Sequence, residues 1–135
     1  MIEVANYKRA IAWLERNMTE QARNPKDAML RDGLTHSFEV TYNVTESTLR
    51  QALSEITGDA SVTLLSSRDL MRYAADEGLA VCSAEAWLRY GIALEEVNET
   101  LGDSAPEKLL PLLPRYIEEL HAFAIRLEER LVSVA

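Results

Sequence analysis

Arg31-Asp32-Gly33-Leu34-Thr35-His36-Ser37-Phe38-Glu39-Val40-Thr41-Tyr42-Asn43-Val44-Thr45 supports two conflicting readings. Phe38, Val40, Tyr42 and Val44 alternate with polar residues, and threonine is abundant, which is the pattern of a strand. A second periodicity runs through the same residues. Leu30, Leu34, Phe38, Tyr42, Thr45, Leu49, Leu53 and Ile56 recur at spacings of a helix and extend well beyond the alternating segment on both sides. No turn signal interrupts that longer stripe, so the spacing predicts one long helix over about 25–56. Asn24 is a good N-cap with Pro25 at the first helical position, and Gly58 supplies the stop.

Working outward, Tyr7, Ile11, Leu14 and Met18 predict a first helix over about 2–22. Residues 58–66 read as a loop. Ser66 or Ser67 caps a short helix through Ala75, closed by Gly78. Ser83 caps a fourth helix over 84–101 with Trp87, Tyr90, Leu94, Val97 and Leu101 inward. Asp103 or Ser104 caps a further turn with Pro106 at its start. Pro111 and Pro114 delay a regular helix until about 112. From there Leu113, Tyr116, Ile117, Leu120, Ala124, Leu127 and Leu131 form a stripe to the C-terminus. Amphipathic helices with short connections predict an all-α, antiparallel up-and-down bundle of four or five helices. The length of 135 residues fits a single domain over 1–135.

Composition narrows the function. Asp and Glu number 22 against 14 Lys and Arg, a net charge of −8, which repels phosphate backbones and argues against direct nucleic-acid binding. No apolar run approaches the roughly 20 residues that span a bilayer. The single cysteine, Cys82, excludes an intramolecular disulfide. The opening Met1-Ile2-Glu3-Val4-Ala5-Asn6 has neither the basic nor the apolar part of a signal peptide, so the expected location is the cytoplasm.

Chemistry-bearing residues are few. Asp32, His36 and Glu39 stand at spacings of four and three and share a helix face with Arg31 and Tyr42 nearby. This block reads either as a ligand- or partner-binding strip or as a solvated face with an Asp32–His36 hydrogen bond. A metal site is disfavoured, because the only other histidine, His121, lies on another helix. Arg68 and Arg72 are one turn apart and form either an anion site or salt bridges to Asp69, Asp76 or Glu77. Trp87 reads as core rather than as a stacking platform. Cys82 precedes a helix N-terminus, a position that lowers a thiol pKa, but lacks a His or Asp partner and reads as buried or inert. There is no Gly-rich phosphate loop and no cofactor signature.

Residues 31–53 resemble the signature helix of the nucleotidyltransferase substrate-binding proteins, helical partners of minimal nucleotidyltransferases within the wider HEPN group. The family pattern runs roughly RDGxIQRFExTxELxxKxLxxYL. Arg31, Asp32, Gly33, Leu34, Phe38, Glu39, Thr41, Leu49 and Leu53 match it, whereas Ser37, Asn43, Glu46 and Ser47 depart. A second block, Arg68 through Gly78-Leu79 and on to Trp87, is similar to the family's arginine-bearing short helix, Gly-Leu turn and tryptophan. The resemblance implies a binding subunit that pairs with a minimal nucleotidyltransferase, a possible nucleotide ligand, and a homodimer built on helix two and the C-terminal helix. Such pairs often belong to toxin–antitoxin modules. The RxxxxH motif of HEPN ribonucleases has no counterpart here. Aligned on Trp87, Leu94 stands at the arginine, Glu99 at the histidine and Leu101 at the tyrosine, with only Thr100 matching. No histidine lies between His36 and His121. The expected role is therefore non-catalytic. The Gly-Ser and spaced aspartates of the nucleotidyltransferase catalytic subunit are also missing. Two rivals stand beside this reading: a residual nucleotide-binding enzyme using Arg68, Arg72, His36 and Glu39, and an interaction bundle without any nucleotide link.

Overall fold

The structure, a computed structural model, describes residues 4–99 and 105–134. The helices are α1 (Val4–Arg23), α2 (Ala28–Thr57), α3 (Ser67–Asp76), α4 (Ala84–Glu99) and α5 (Leu113–Val134), with short 3-10 turns at Ala60–Leu64 and Ala105–Lys108. No strand occurs among the described residues. Position 101, assigned to the α4 stripe by its spacing, and the cap at 103–104 lie outside the described residues.

The 31–45 segment is helical throughout, and its side chains show why the strand pattern loses. Thr41 and Thr45 are fully buried with Phe38 and Leu34, which alternation would have placed on opposite faces. Their hydroxyls are satisfied inside the helix: Thr45 Oγ1 donates to the Thr41 carbonyl (2.6 Å) and Thr41 Oγ1 to the Phe38 carbonyl (3.0 Å). Ser37 does the same with Leu34 (2.9 Å). Two phenols complete the set, Tyr116 with Thr41 (2.8 Å) and Tyr7 with Thr45 (2.9 Å). Small hydroxyls thus bring the helices together without leaving unpaired polar atoms.

The start of α2 differs from the sequence expectation. Asp27, not Asn24, is the N-cap. Its carboxylate accepts from the Met29 and Leu30 amides (2.9 and 3.3 Å). Asn24 instead closes the turn after α1, its amide reaching back to the Glu20 and Gln21 carbonyls (both 3.2 Å). A carboxylate placed just before the first free amides outcompetes Asn24, which the preceding helix already uses. The other boundaries match closely. Gly58 ends α2 at φ 74°, and its amide bonds the Ser54 carbonyl. Ser66 and Ser83 cap α3 and α4.

Cross-helix pairs fix direction. Tyr7 meets Thr45 while Asn17 reaches the Gly33 carbonyl, so α1 and α2 run oppositely. Lys8 pairs with Glu128 and Glu15 with His121 (2.8 Å), so α1 and α5 also run oppositely. The core collects Tyr7, Ile11 and Leu14 of α1, the α2 stripe, Leu70 and Met71 of α3, Trp87 of α4, and Leu113, Tyr116, Leu120, Phe123 and Leu127 of α5. Phe123 is a core residue that the sequence stripe left out.

One close approach depends on a missing side chain. A Cβ on Gly91 in α4 would lie 2.6 Å from Tyr42 Oη and 3.3 Å from its Cζ. Tyr42 is stacked flat on Trp87, with centroids 4.4 Å apart and an interplanar angle of 7°, so its ring cannot retreat that way. Gly91→Ala is expected to destabilise the protein by about 2 kcal/mol, although alanine favours a helix interior by about 1 kcal/mol. Urea denaturation measures this, and a stabilised variant would show that the ring has room. Tyr42→Phe removes the nearest atom and should relieve most of the cost.

Candidate functional site

The predicted strip lies on the first half of α2. Asp32 and His36 are exposed, while Arg31 and Glu39 are half-buried. Arg31 Nε donates to the Pro25 carbonyl (2.8 Å), holding the turn that leads into the helix. No hydrogen bond joins Asp32 to His36. The imidazole stands edge-on to Trp13 of α1 instead, at 5.8 Å and 82°. This edge contact with Trp13 holds the ring against α1.

Tyr42 departs from this strip. It is 9% exposed and turned inward, with its ring on Trp87. Burial, followed by the neighbouring Glu46 carboxylate, raises its phenol well above the usual range. Such a phenol keeps its proton and makes a poor nucleophile.

Arg68 and Arg72 on α3 are exposed. The salt bridges expected within α3 are not formed among the described residues; Glu77 pairs with Arg130 of α5 (3.3 Å) instead. Among the described residues no hydrogen bond or ion pair joins Arg68 or Arg72 to Asp32, His36 or Glu39.

The most organised polar cluster was not singled out by sequence. Glu46 of α2 is 9% exposed. Its Oε2 accepts the Trp87 indole N–H at 2.7 Å, and its Oε1 faces Arg50 Nη1 at 3.3 Å. Arg50 Nη2 in turn donates to the Leu65 carbonyl (3.1 Å), just ahead of α3. One carboxylate therefore joins α2 to α4 and, through Arg50, to the approach to α3. The signal was present: Glu46 is an acid set four residues after Tyr42 and three before Leu49, on the shoulder of an apolar stripe. Trp87 itself is fully buried among Tyr42, Tyr90 and Tyr116, as the core reading anticipated.

A second cluster centres on Glu119 of α5. It accepts from the Tyr90 hydroxyl and lies 3.8 Å from Arg115 Nε, and its charge acts on the Cys82 thiol. The thiol pKa moves against the pull of the α4 N-terminus and with the reading of Cys82 as buried or inert. Burial first, then the Glu119 charge and hydrogen bond, push Cys82 up to about 12. A carboxylate beside the sulfur overrides any pull from the start of α4. Alkylation by iodoacetamide at pH 8 should accordingly run roughly a thousand-fold slower in the native protein than in the unfolded chain. Equal rates would show that neither burial nor Glu119 holds the proton on the thiol.

Leu94 and Val97, within the segment that aligns with the RxxxxH motif, are buried, while Glu95 and Glu96 face outward. The Glu99 side chain and residues 100–101 lie outside the described residues. Among the described residues no three side chains of metal-ligating type converge, and no helix is long and apolar enough to cross a membrane.

A family model described as nucleotidyltransferase substrate binding protein like matches residues 2–129. The chain belongs to that family. No curated protein and no solved structure matches it. Membership fits the signature residues of α2. Arg31 holds the entry turn, Leu34, Phe38, Leu49 and Leu53 form core, and Thr41 bonds Tyr116. Much of the family signature is thus a folding device, whereas Asp32 faces outward and Glu39 is half-buried.

Proposed function

We propose that this protein is the non-catalytic binding subunit of a nucleotidyl-transferring pair. It docks a minimal nucleotidyltransferase and helps present that enzyme's substrate, in a pairing descended from a toxin–antitoxin module. The observation that carries this reading is the match over residues 2–129 to a family named for substrate binding. The geometry supports it. The interior polar groups Glu46, Glu119, Thr41 and Thr45 are engaged in holding helices together, whereas Asp32, His36, Arg68 and Arg72 face solvent. Half-buried Glu39 completes this surface, while Arg31 and the inward Tyr42 position it. Met29 on α2 and Ile125 on α5 are exposed apolar side chains, at 83% and 56%, and favour a homodimer through those helices. The protein works in the cytoplasm, as its lone cysteine and acidic balance suit.

Affinity capture of the tagged protein from its native host, read by mass spectrometry, tests the proposal. A small nucleotidyltransferase recovered in stoichiometric amount supports it. Recovery of this chain alone overturns the pairing and leaves a self-associating bundle. The triple variant Asp32→Ala, His36→Ala, Glu39→Ala is expected to lose most of the captured partner while its melting temperature stays within a few degrees, since none of the three is buried and substitutions away from the core cost little stability. Undiminished capture would move the docking surface elsewhere.

A further inference from the structure

A pocket of about 170 Å³ opens where α4 meets the approach to α5. Ala86, Arg89 and Tyr90 of α4 line one side, and Pro111, Leu112 and Arg115 the other. Its walls are apolar apart from two guanidinium groups and the edge of a phenol. Both arginines line this one pocket, Arg89 from α4 and Arg115 from α5.

The two charges here are only partly engaged. Glu119 does not line the pocket; it accepts from Tyr90 and pairs with Arg115 Nε at 3.8 Å. The Arg115 side chain is 82% exposed, and its contact with Glu119 is through Nε. Arg89 is exposed and has no ion-pair partner among the described residues. No acid lines the pocket itself. In a chain of net charge −8, this is a local positive site against an apolar wall.

Two arginine forks suit the oxygens of a phosphate, which each can grip through paired N–H donors. The size limits what enters. Whole small-molecule sites usually occupy roughly 300–1,000 Å³, so this pocket holds a terminal group and leaves the rest of the ligand outside. We propose that it binds the phosphate of a mononucleotide, clamped between Arg89 and Arg115, with the sugar and base projecting outward. The choice of a nucleotide among phosphate monoesters rests on the substrate-binding reading above. The phosphate grip rests on the pocket alone.

Isothermal titration of the full chain with AMP, adenosine and inorganic phosphate tests this. AMP is expected to bind and adenosine not. Arg89→Gln and Arg115→Gln should each weaken AMP roughly ten-fold or more, at unchanged melting temperature, while Arg68→Gln with Arg72→Gln leaves it unaltered. Absence of binding by AMP, adenosine binding as tight as AMP, or loss confined to the Arg68/Arg72 variant overturns the assignment. The same variants are carried through the host capture. A nucleotidyltransferase recovered by a protein that does not bind AMP overturns this inference alone. Arginine-dependent AMP binding without a captured enzyme upholds the pocket and overturns the pairing.

Discussion

Trp87→Ala is expected to cost about 5 kcal/mol, the largest effect of any single substitution in this chain. Truncating a buried tryptophan leaves a cavity and typically costs roughly 3–5 kcal/mol. Here the loss extends beyond volume. Trp87 is fully buried, stacks on Tyr42, meets Tyr90 edge-on, and donates its indole N–H to Glu46. Alanine would leave that carboxylate in a largely dry setting without its best donor. A domain of this size has about 5–15 kcal/mol in total, so the variant should be mostly unfolded by mild urea, as followed by circular dichroism. Trp87→Phe keeps an aromatic ring in place and removes the N–H, for an expected loss of about 2 kcal/mol. If Trp87→Ala fell within about 1 kcal/mol of the parent, the tryptophan would not be the anchor of the α2–α4 contact.

Glu46→Ala comes next, at about 3 kcal/mol. The carboxylate is 12% exposed and Arg50 24%, so the pair is neither a surface ion pair of small effect nor fully desolvated. Removing Glu46 strips the partner from a buried indole N–H and leaves Arg50 with the Leu65 carbonyl as its remaining hydrogen-bond acceptor. Glu46→Gln retains an oxygen for Trp87 while losing the charge opposite Arg50, and about 1 kcal/mol should separate it from the parent. A double-mutant cycle between Glu46→Ala and Trp87→Phe isolates the hydrogen bond, with an expected coupling of about 1–2 kcal/mol. Strict additivity would mean that Glu46 acts through Arg50 alone.

These two residues show where reading the chain succeeds and where it stops. The helical stripe through Leu34, Phe38, Tyr42, Leu49 and Leu53 was legible because periodicity is a local property, and each of these residues is core. The Gly58 stop and the Ser66 and Ser83 caps were legible for the same reason. The N-cap of α2 was misassigned because Asn24 and Asp27 are both competent caps, and only the turn after α1 selects between them. Among the candidate site residues, the outward faces of Asp32, His36, Arg68 and Arg72 followed from spacing. That Tyr42 turns inward follows from the same stripe that made it core.

The amino-acid sequence by itself determined that this protein is helical, where its long helices lie, and which family signature α2 carries. All of these depend on neighbours within a few turns. Only the tertiary structure decided that Glu46 receives the Trp87 indole, that Gly91 must stay small beneath Tyr42, and that burial, with Glu119 second, raises Cys82 against the start of α4. It also decided that Arg89 and Arg115 face one pocket. Each of those facts joins residues on different helices. Their meeting depends on how the bundle packs, and packing is set by the whole core at once rather than by any local pattern.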